Sequence, residues 1–322
     1  VTVEDVIDPT AICQNITVQL DATGNVSITP GDIDNGSFDN CGIASLTLDI
    51  DAFDCSNVGP NTVVLTVTDD NGNVSTCSAT VVVEDVIDPT AICQDITVQL
   101  DATGNVSITA NDIDNGSFDN CGIASLTLDI DAFDCSNVGP NTVILTVTDD
   151  NGNTSTCSAT VTVEDTIDPT AICQNITVQL DATGNVSITA NDIDNGSFDN
   201  CGIASLSLDI TDFDCSNVGP NTVILTITDD NGNVSTCSAT VIVEDIIDPT
   251  AICQDITVQL DATGNVSITA NDIDNGSFDN CGIASLSLDI TDFDCSNVGP
   301  NTVVLTVTDD NGNTSTCSAT VT

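Results

Sequence analysis

The chain has 322 residues, of which 50 are Asp or Glu and none is Lys, Arg or His, so its formal net charge is −50. Nucleic-acid and anionic-lipid binding rest on Lys and Arg, which the chain lacks, so both are excluded as partners, and without lysine it cannot form Lys–Asn isopeptide or lysine-based pilus links. Such a charge usually predicts disorder, yet 40% of the residues are apolar and alternate with Thr, Ser and Asp in short runs bounded by Gly, Pro and Asn, the pattern of half-buried strands.

The segment VEDVIDPTAICQ at Val3 returns at Val83 and, with small changes, at Val163 and Val243, a period of 80 residues. A period of this length predicts a tandem array whose units each fold around a short core. Module borders are expected in the VEDxIDP stretch, because proline cannot extend a strand ladder and holds its predecessor extended. That gives modules at 8–85, 88–165, 168–245 and 248–322, the last without its final few residues, with residues 1–7 as the end of a preceding module and its linker. The sequence contains no signal peptide and no apolar stretch long enough to span a bilayer.

In the first module the expected strand runs are Ile16 to Leu20, Val26 to Ile33, Ile43 to Ile50, a short piece from Cys55 to Val58, Thr62 to Thr68, and Ser75 to Val83. In the fifth run Val63, Leu65 and Val67 face the core and Thr66 and Thr68 face water. About seven short strands at this spacing predict an all-β, immunoglobulin-like antiparallel sandwich in each module. Phe38 and Phe53 are the only large side chains available to the core, so a unit of this size needs staples.

Sixteen cysteines fall four to a module, at Cys13, Cys41, Cys55, Cys77 and their copies. An even count in a small module predicts disulfides and an oxidising compartment. Zinc is disfavoured, because histidine is absent and no two cysteines have the close spacing of a zinc knuckle.

The order IDPTAIC, DNCG, then NVGPNTVVLTVTDDNGNVSTCSATVVVED resembles the hyalin repeat, an immunoglobulin-like module of extracellular adhesive proteins, and the resemblance covers essentially every module. Gln14 stands where proline commonly follows the first cysteine, and the aromatic core positions are aliphatic here. Similar arrays occur in very large secreted bacterial surface proteins. The resemblance therefore implies stalk or adhesin work at a cell surface and no enzymatic activity. It also implies the pairs Cys13–Cys77, Cys93–Cys157, Cys173–Cys237 and Cys253–Cys317. The remaining cysteines are then left to each other as Cys41–Cys55, Cys121–Cys135, Cys201–Cys215 and Cys281–Cys295, if the chain folds back near Leu48, although other pairings stay open on sequence alone.

Strands running alternately up and down would bring three acidic segments to one pole. The incoming linker brings Glu4, Asp5 and Asp8, the loop after the second strand brings Asp32, Asp34 and Asp39, and the final hairpin brings Asp69 and Asp70. The equivalent sets are Glu84, Asp85, Asp88, Asp112, Asp114, Asp119, Asp149 and Asp150; then Glu164, Asp165, Asp168, Asp192, Asp194, Asp199, Asp229 and Asp230; and then Glu244, Asp245, Asp248, Asp272, Asp274, Asp279, Asp309 and Asp310. Converging carboxylates with no internal counter-charge predict calcium between modules. The bland alternative is that Asn35-Gly36 and Asn71-Gly72 are simple turns beside solvated acids.

The spacing is not an EF-hand, and the usual activated bases are missing, so no catalysis is expected. Asn15, Asn25, Asn35 and Asn73 begin Asn-x-Ser/Thr sequons and are candidate glycan sites. The reading is a secreted array stiffened by calcium and disulfides, a fibre or stalk that can associate with copies of itself. The alternative is a multivalent module that holds a protein or surface glycan by avidity. The lack of Tyr, Trp and Arg anchors favours the first.

Overall fold

A computed structural model describes residues 1–322. The chain divides into two compact units, Val1–Asp165 and Thr166–Thr322. Four immunoglobulin-like β-sandwich modules of about 80 residues follow one another along the sequence, two in each unit.

The first module contains β1 (Ile16–Gln19), β2 (Asn25–Ser27), a single helical turn α1 (Pro30–Ile33), β3 (Ile43–Leu48), β4 (Ala52–Asp54), β5 (Gly59–Asp69) and β6 (Val74–Glu84). One sheet has the order β1-β6-β5-β3 and the other pairs β2 with β4. Between them lies an aliphatic core in which Val63, Leu65, Val67 and Val81 are fully buried. The long β5–β6 hairpin follows directly from strict alternation, because every second side chain must enter the core. It closes over Gly72 at φ +93°, where a side chain would be strained.

Four expectations need correction. The sandwich is not wholly antiparallel, since β1 runs parallel to β6 from Ile16↔Val81 to Gln19↔Glu84. The run Val26 to Ile33 is not one strand: β2 stops at Ser27, and the Thr29 amide and hydroxyl both donate to Asp32 Oδ2 at 2.7 Å, capping the helical turn. Cys55–Asn57 forms a 3-10 turn rather than a strand, with the Asp54 carboxylate accepting from the Ser56 amide at 2.8 Å. Phe53 is in the core, but Phe38 is 59% exposed, because it belongs to an isolated bridge with Thr10 outside the sandwich.

Sheet geometry also decides the cysteines. β3 leaves the pole where the linker arrives, pairing Ile43 with Asp69. At Asp49–Asp51 the chain crosses to the other sheet and continues the same way as β4, ending beside Asn25. There is no reversal near Leu48, so Cys41 lies at the N-terminal pole and Cys55 at the C-terminal pole. Cys13–Cys77, Cys93–Cys157, Cys173–Cys237 and Cys253–Cys317 form within modules. The pairs Cys41–Cys55, Cys121–Cys135, Cys201–Cys215 and Cys281–Cys295 do not form. Cys55 instead bonds Cys121 of the following module, and Cys215 bonds Cys281. Cys135 and Cys201 are also disulfide-bonded, whereas Cys41 and Cys295 are exposed thiols.

Candidate metal centre

At the junction between the first two modules, three segments each contribute one aspartate. Asp149 ends the strand Gly139–Asp149 and is 1% exposed. Its Oδ1 accepts from the amides of Asn151 and Asn153 at 2.9 and 2.8 Å, and its Oδ2 accepts from Asn153 Nδ2 at 2.8 Å. The hairpin therefore holds this carboxylate rigidly. In the equivalent Asp69, burial pushes the carboxyl up, but the hydrogen bonds from Asn73, Asn71 and Gly72 outweigh it and hold it below the usual range.

Asp119 belongs to the Asp119–Asn120–Cys121 turn, where its Oδ2 accepts from the Cys121 amide at 2.8 Å. Asp85 leaves the first module just after its last strand and is 7% exposed. Its Oδ1 accepts from the Ile87 amide at 3.2 Å and from Asn120 Nδ2 at 3.3 Å. Asn153 Nδ2 donates to the Asp85 carbonyl at 3.3 Å, tying linker to hairpin.

One carboxylate oxygen from each of Asp85, Asp119 and Asp149 lies within 4.8 Å of the others, and Asp245, Asp279 and Asp309 repeat the arrangement. Asp85 Oδ2, Asp119 Oδ1 and Asn120 Oδ1 are buried with no hydrogen-bond partner, as are Asp245 Oδ2, Asp279 Oδ1 and Asn280 Oδ1. Two like charges 4 Å apart repel by about 4 kcal/mol at a protein's effective dielectric. Buried acceptors and crowded anions without a protein cation fit a hard ion with an all-oxygen shell.

The other named acids have different positions. Glu84 and Asp88 are exposed. Asp112 caps a helical turn from Thr109, and the Thr109 hydroxyl and amide bonds hold its carboxyl low. Asp114 accepts from the Ser117 and Gly116 amides at 3.0 and 3.2 Å. Asp150 is exposed beside Gly122. At the N-terminal pole of the first module, Asp5 and Asp39 gather with the Cys41 thiol, whose pKa is raised by its hydrogen bond to Asp5, by burial and by the surrounding carboxylates.

Among the sequons, Asn25 Nδ2 donates to the Thr23 carbonyl at 2.8 Å and Asn73 Nδ2 to Asp69 Oδ2 at 2.7 Å, while Asn35 is exposed. Asn15 Oδ1 accepts from the Thr80 amide at 2.8 Å, and Asp95 Oδ1 does the same for Thr160 at 2.7 Å. That shared acceptor role explains how Asn and Asp alternate at this position. The residues missed in the sequence are Asn120 and the cross-module cystine. The signal available was that DNC sets an amide and a thiol directly behind an acid.

No protein-family model and no curated protein matches this chain. Among solved structures it is similar to protocadherin gamma B7 extracellular cadherin domains 1–4, with 16% identity and TM-score 0.29 over 87% of this chain and 90% of that one. Drosophila N-cadherin EC1-4 is similar at 12% identity and TM-score 0.30, over 95% of this chain and 99% of that one. Titin domains I67–I69 are similar at 9% identity and TM-score 0.31, over 74% of this chain and 100% of that one.

Proposed function

We propose that this chain is a structural repeat segment of an extracellular fibre or adhesin stalk, in which calcium bound between modules and disulfides together set the stiffness of the junction within each unit. The observation that carries this reading is the trio of buried Asp85 and Asp149 with half-buried Asp119, in which Asp85 Oδ2 and Asp119 Oδ1 have no partner in a chain that has no Lys, Arg or His. Asp245, Asp279 and Asp309 repeat the arrangement in the second unit. Calcium would be held by one oxygen from each aspartate, leaving positions for carbonyl or water oxygens. The cystines support an oxidising, extracellular setting, and the hyalin-repeat resemblance supports a surface-protein context.

The test is calorimetric titration of the full chain with calcium. Replacing Asp85 and Asp119 by Asn should remove one binding site and leave the strand signal intact, because neither residue belongs to a module core. Unchanged stoichiometry and affinity would refute the junction assignment.

A second reading, adhesion by avidity, draws on Phe38, Phe118, Phe198 and Phe278. These are 58 to 59% exposed at the same position in every module and present one repeated aromatic contact to a protein or glycan.

A further inference from the structure

We propose that the cation site and the neighbouring disulfide are coupled through the Asp119–Asn120–Cys121 turn, so that bound calcium protects the Cys55–Cys121 bond from reduction and the intact bond tightens calcium. This inference rests on the calcium reading above and adds a redox control to that site.

Each residue of the turn has its own attachment. Asp119 Oδ1 is buried without a partner, while its Oδ2 is pinned by the Cys121 amide at 2.8 Å. Asn120 Nδ2 donates to Asp85 Oδ1 and to the Asp21 carbonyl, both at 3.3 Å, so it grips the linker and the preceding module together. Its own carbonyl lies 3.5 Å from Cys55 Sγ. Cys121 completes the set through its bond to Cys55. Asp85 is more than nine-tenths buried with Oδ2 unpartnered, so the cluster has an oxygen that lacks a partner within the protein.

Asp279–Asn280–Cys281 repeats every attachment. The Cys281 amide donates to Asp279 at 2.8 Å, Asn280 Nδ2 to Asp245 Oδ1 at 3.2 Å and to the Asp181 carbonyl at 3.3 Å, and Cys215 Sγ lies 3.4 Å from the Asn280 carbonyl. In the first module, where Cys41 is an unbridged thiol, both Asn40 and Cys41 are exposed.

Reduction by an external dithiol transfers two electrons and two protons to the cystine, leaving the Cys55 and Cys121 thiols and the dithiol's own cyclic disulfide. The turn then loses its covalent anchor, and calcium must supply the cost of ordering Asp119 beside Asp85. Linkage requires the effect to be reciprocal, because both equilibria favour the same docked turn.

The experiment uses the full, oxidised chain. Calcium binding is first measured by calorimetry, and the chain is then exposed to dithiothreitol and iodoacetamide with calcium or with chelator. Mass spectrometry after cleavage at Asp follows each cysteine. Saturating calcium should slow labelling of Cys55, Cys121, Cys215 and Cys281 by about tenfold, within the usual range of coupling between sites. Cys13 and Cys77, which tie strands within one module, should be unaffected. A chain with Cys55→Ser, Cys121→Ser, Cys215→Ser and Cys281→Ser should keep its calcium stoichiometry and bind more weakly by about the same factor. If calcium binds but labelling is unchanged, or slows equally at Cys13 and Cys77, the coupling is wrong and the cation site stands. If calorimetry detects no calcium binding, the functional reading fails and the coupling fails with it. Should the serine variant misfold, labelling of the native chain decides alone.

Discussion

The N-terminal poles of the first and second modules have the same acids and turn residues but different surroundings. Asp69 and Asp149 are both 1% exposed, and Asn73 and Asn153 both reach the linker carbonyl at 3.3 Å. The hairpin and its grip on the linker are therefore properties of a single module. The DNC turn differs: Asn40 and Cys41 are exposed, whereas Asn120 and Cys121 are half-buried, and Asp85 is buried where Asp5 is only half-buried. A preceding module supplies that burial through Cys55 and the Asp21–Gly24 turn. The comparison separates the preformed part of the cluster, Asp149, from the part completed by docking, Asp85 and Asp119.

The largest effect expected from breaking this division comes from the two kinds of disulfide. Replacing Cys13 and Cys77 by Ala should cost the first module about 2–5 kcal/mol, since a core bond closing a long loop is lost. Replacing Cys55 and Cys121 by Ala should cost less, because both cores keep their own bonds. Calorimetric melting of the two chains, with separate transitions assigned, checks the order.

Gly24 sharpens the comparison by a smaller step. At φ +72°, an added Cβ would lie 2.7 Å from Cys55 Sγ and 3.0 Å from the Asn120 carbonyl. At Gly264, with φ +82°, it would meet only Cys295 Sγ, at 2.9 Å. Both substitutions to Ala should show the left-handed backbone cost of about 1–2 kcal/mol, but only Gly24→Ala should also loosen a junction. Faster reductive labelling of Cys121 in that variant would show it. Equal behaviour of the two variants would mean that the close approach to Asn120 carries no strain.

The smallest effect concerns acid. Hydroxyl and amide bonds from the preceding Thr hold Asp32, Asp112, Asp192 and Asp272 below their ordinary value of 3.8. A depressed folded value means that the added stability is fully present above the unfolded value and is lost as pH falls through the folded one. The melting temperature should therefore fall below about pH 3.8 in every module. Replacing all four Thr caps, Thr29, Thr109, Thr189 and Thr269, by Val should flatten that acid limb. Melting curves of the Val variant and the unaltered chain in calcium-free buffer isolate the caps, because the junction acids are the same in both.

The sequence made the modules and their long hairpins legible because strict alternation in Thr62 to Thr68 leaves only one way to bury Val63, Leu65 and Val67. Asp85, Asp119 and Asp149 were among eight acids expected at their junction, and the structure brings these three together. The other five have local tasks or are exposed, and a carboxylate's short-range competition with the backbone is hard to read from spacing. Cys55–Cys121 escapes a reading that pairs cysteines within one period. In a periodic array the partner can lie 66 residues away as readily as 14, and only the passage of β3 into β4 without reversal places Cys41 and Cys55 at opposite poles. Size alone suggests a core place for Phe38, whereas its isolated bridge with Thr10 leaves it in solvent.

The bond between Cys13 and Cys77 also fixes where tension travels when the chain is pulled. Force arriving through the linker reaches Cys13 and crosses directly to Cys77, so the 64-residue separation between them is locked out of the load path. At roughly 3.3–3.6 Å per extended residue, on the order of 200 Å of contour per module stays hidden however hard the array is stretched. Only reduction of that cystine releases it, and the extensibility of the chain is thereby set by redox chemistry rather than by the strength of its sheets.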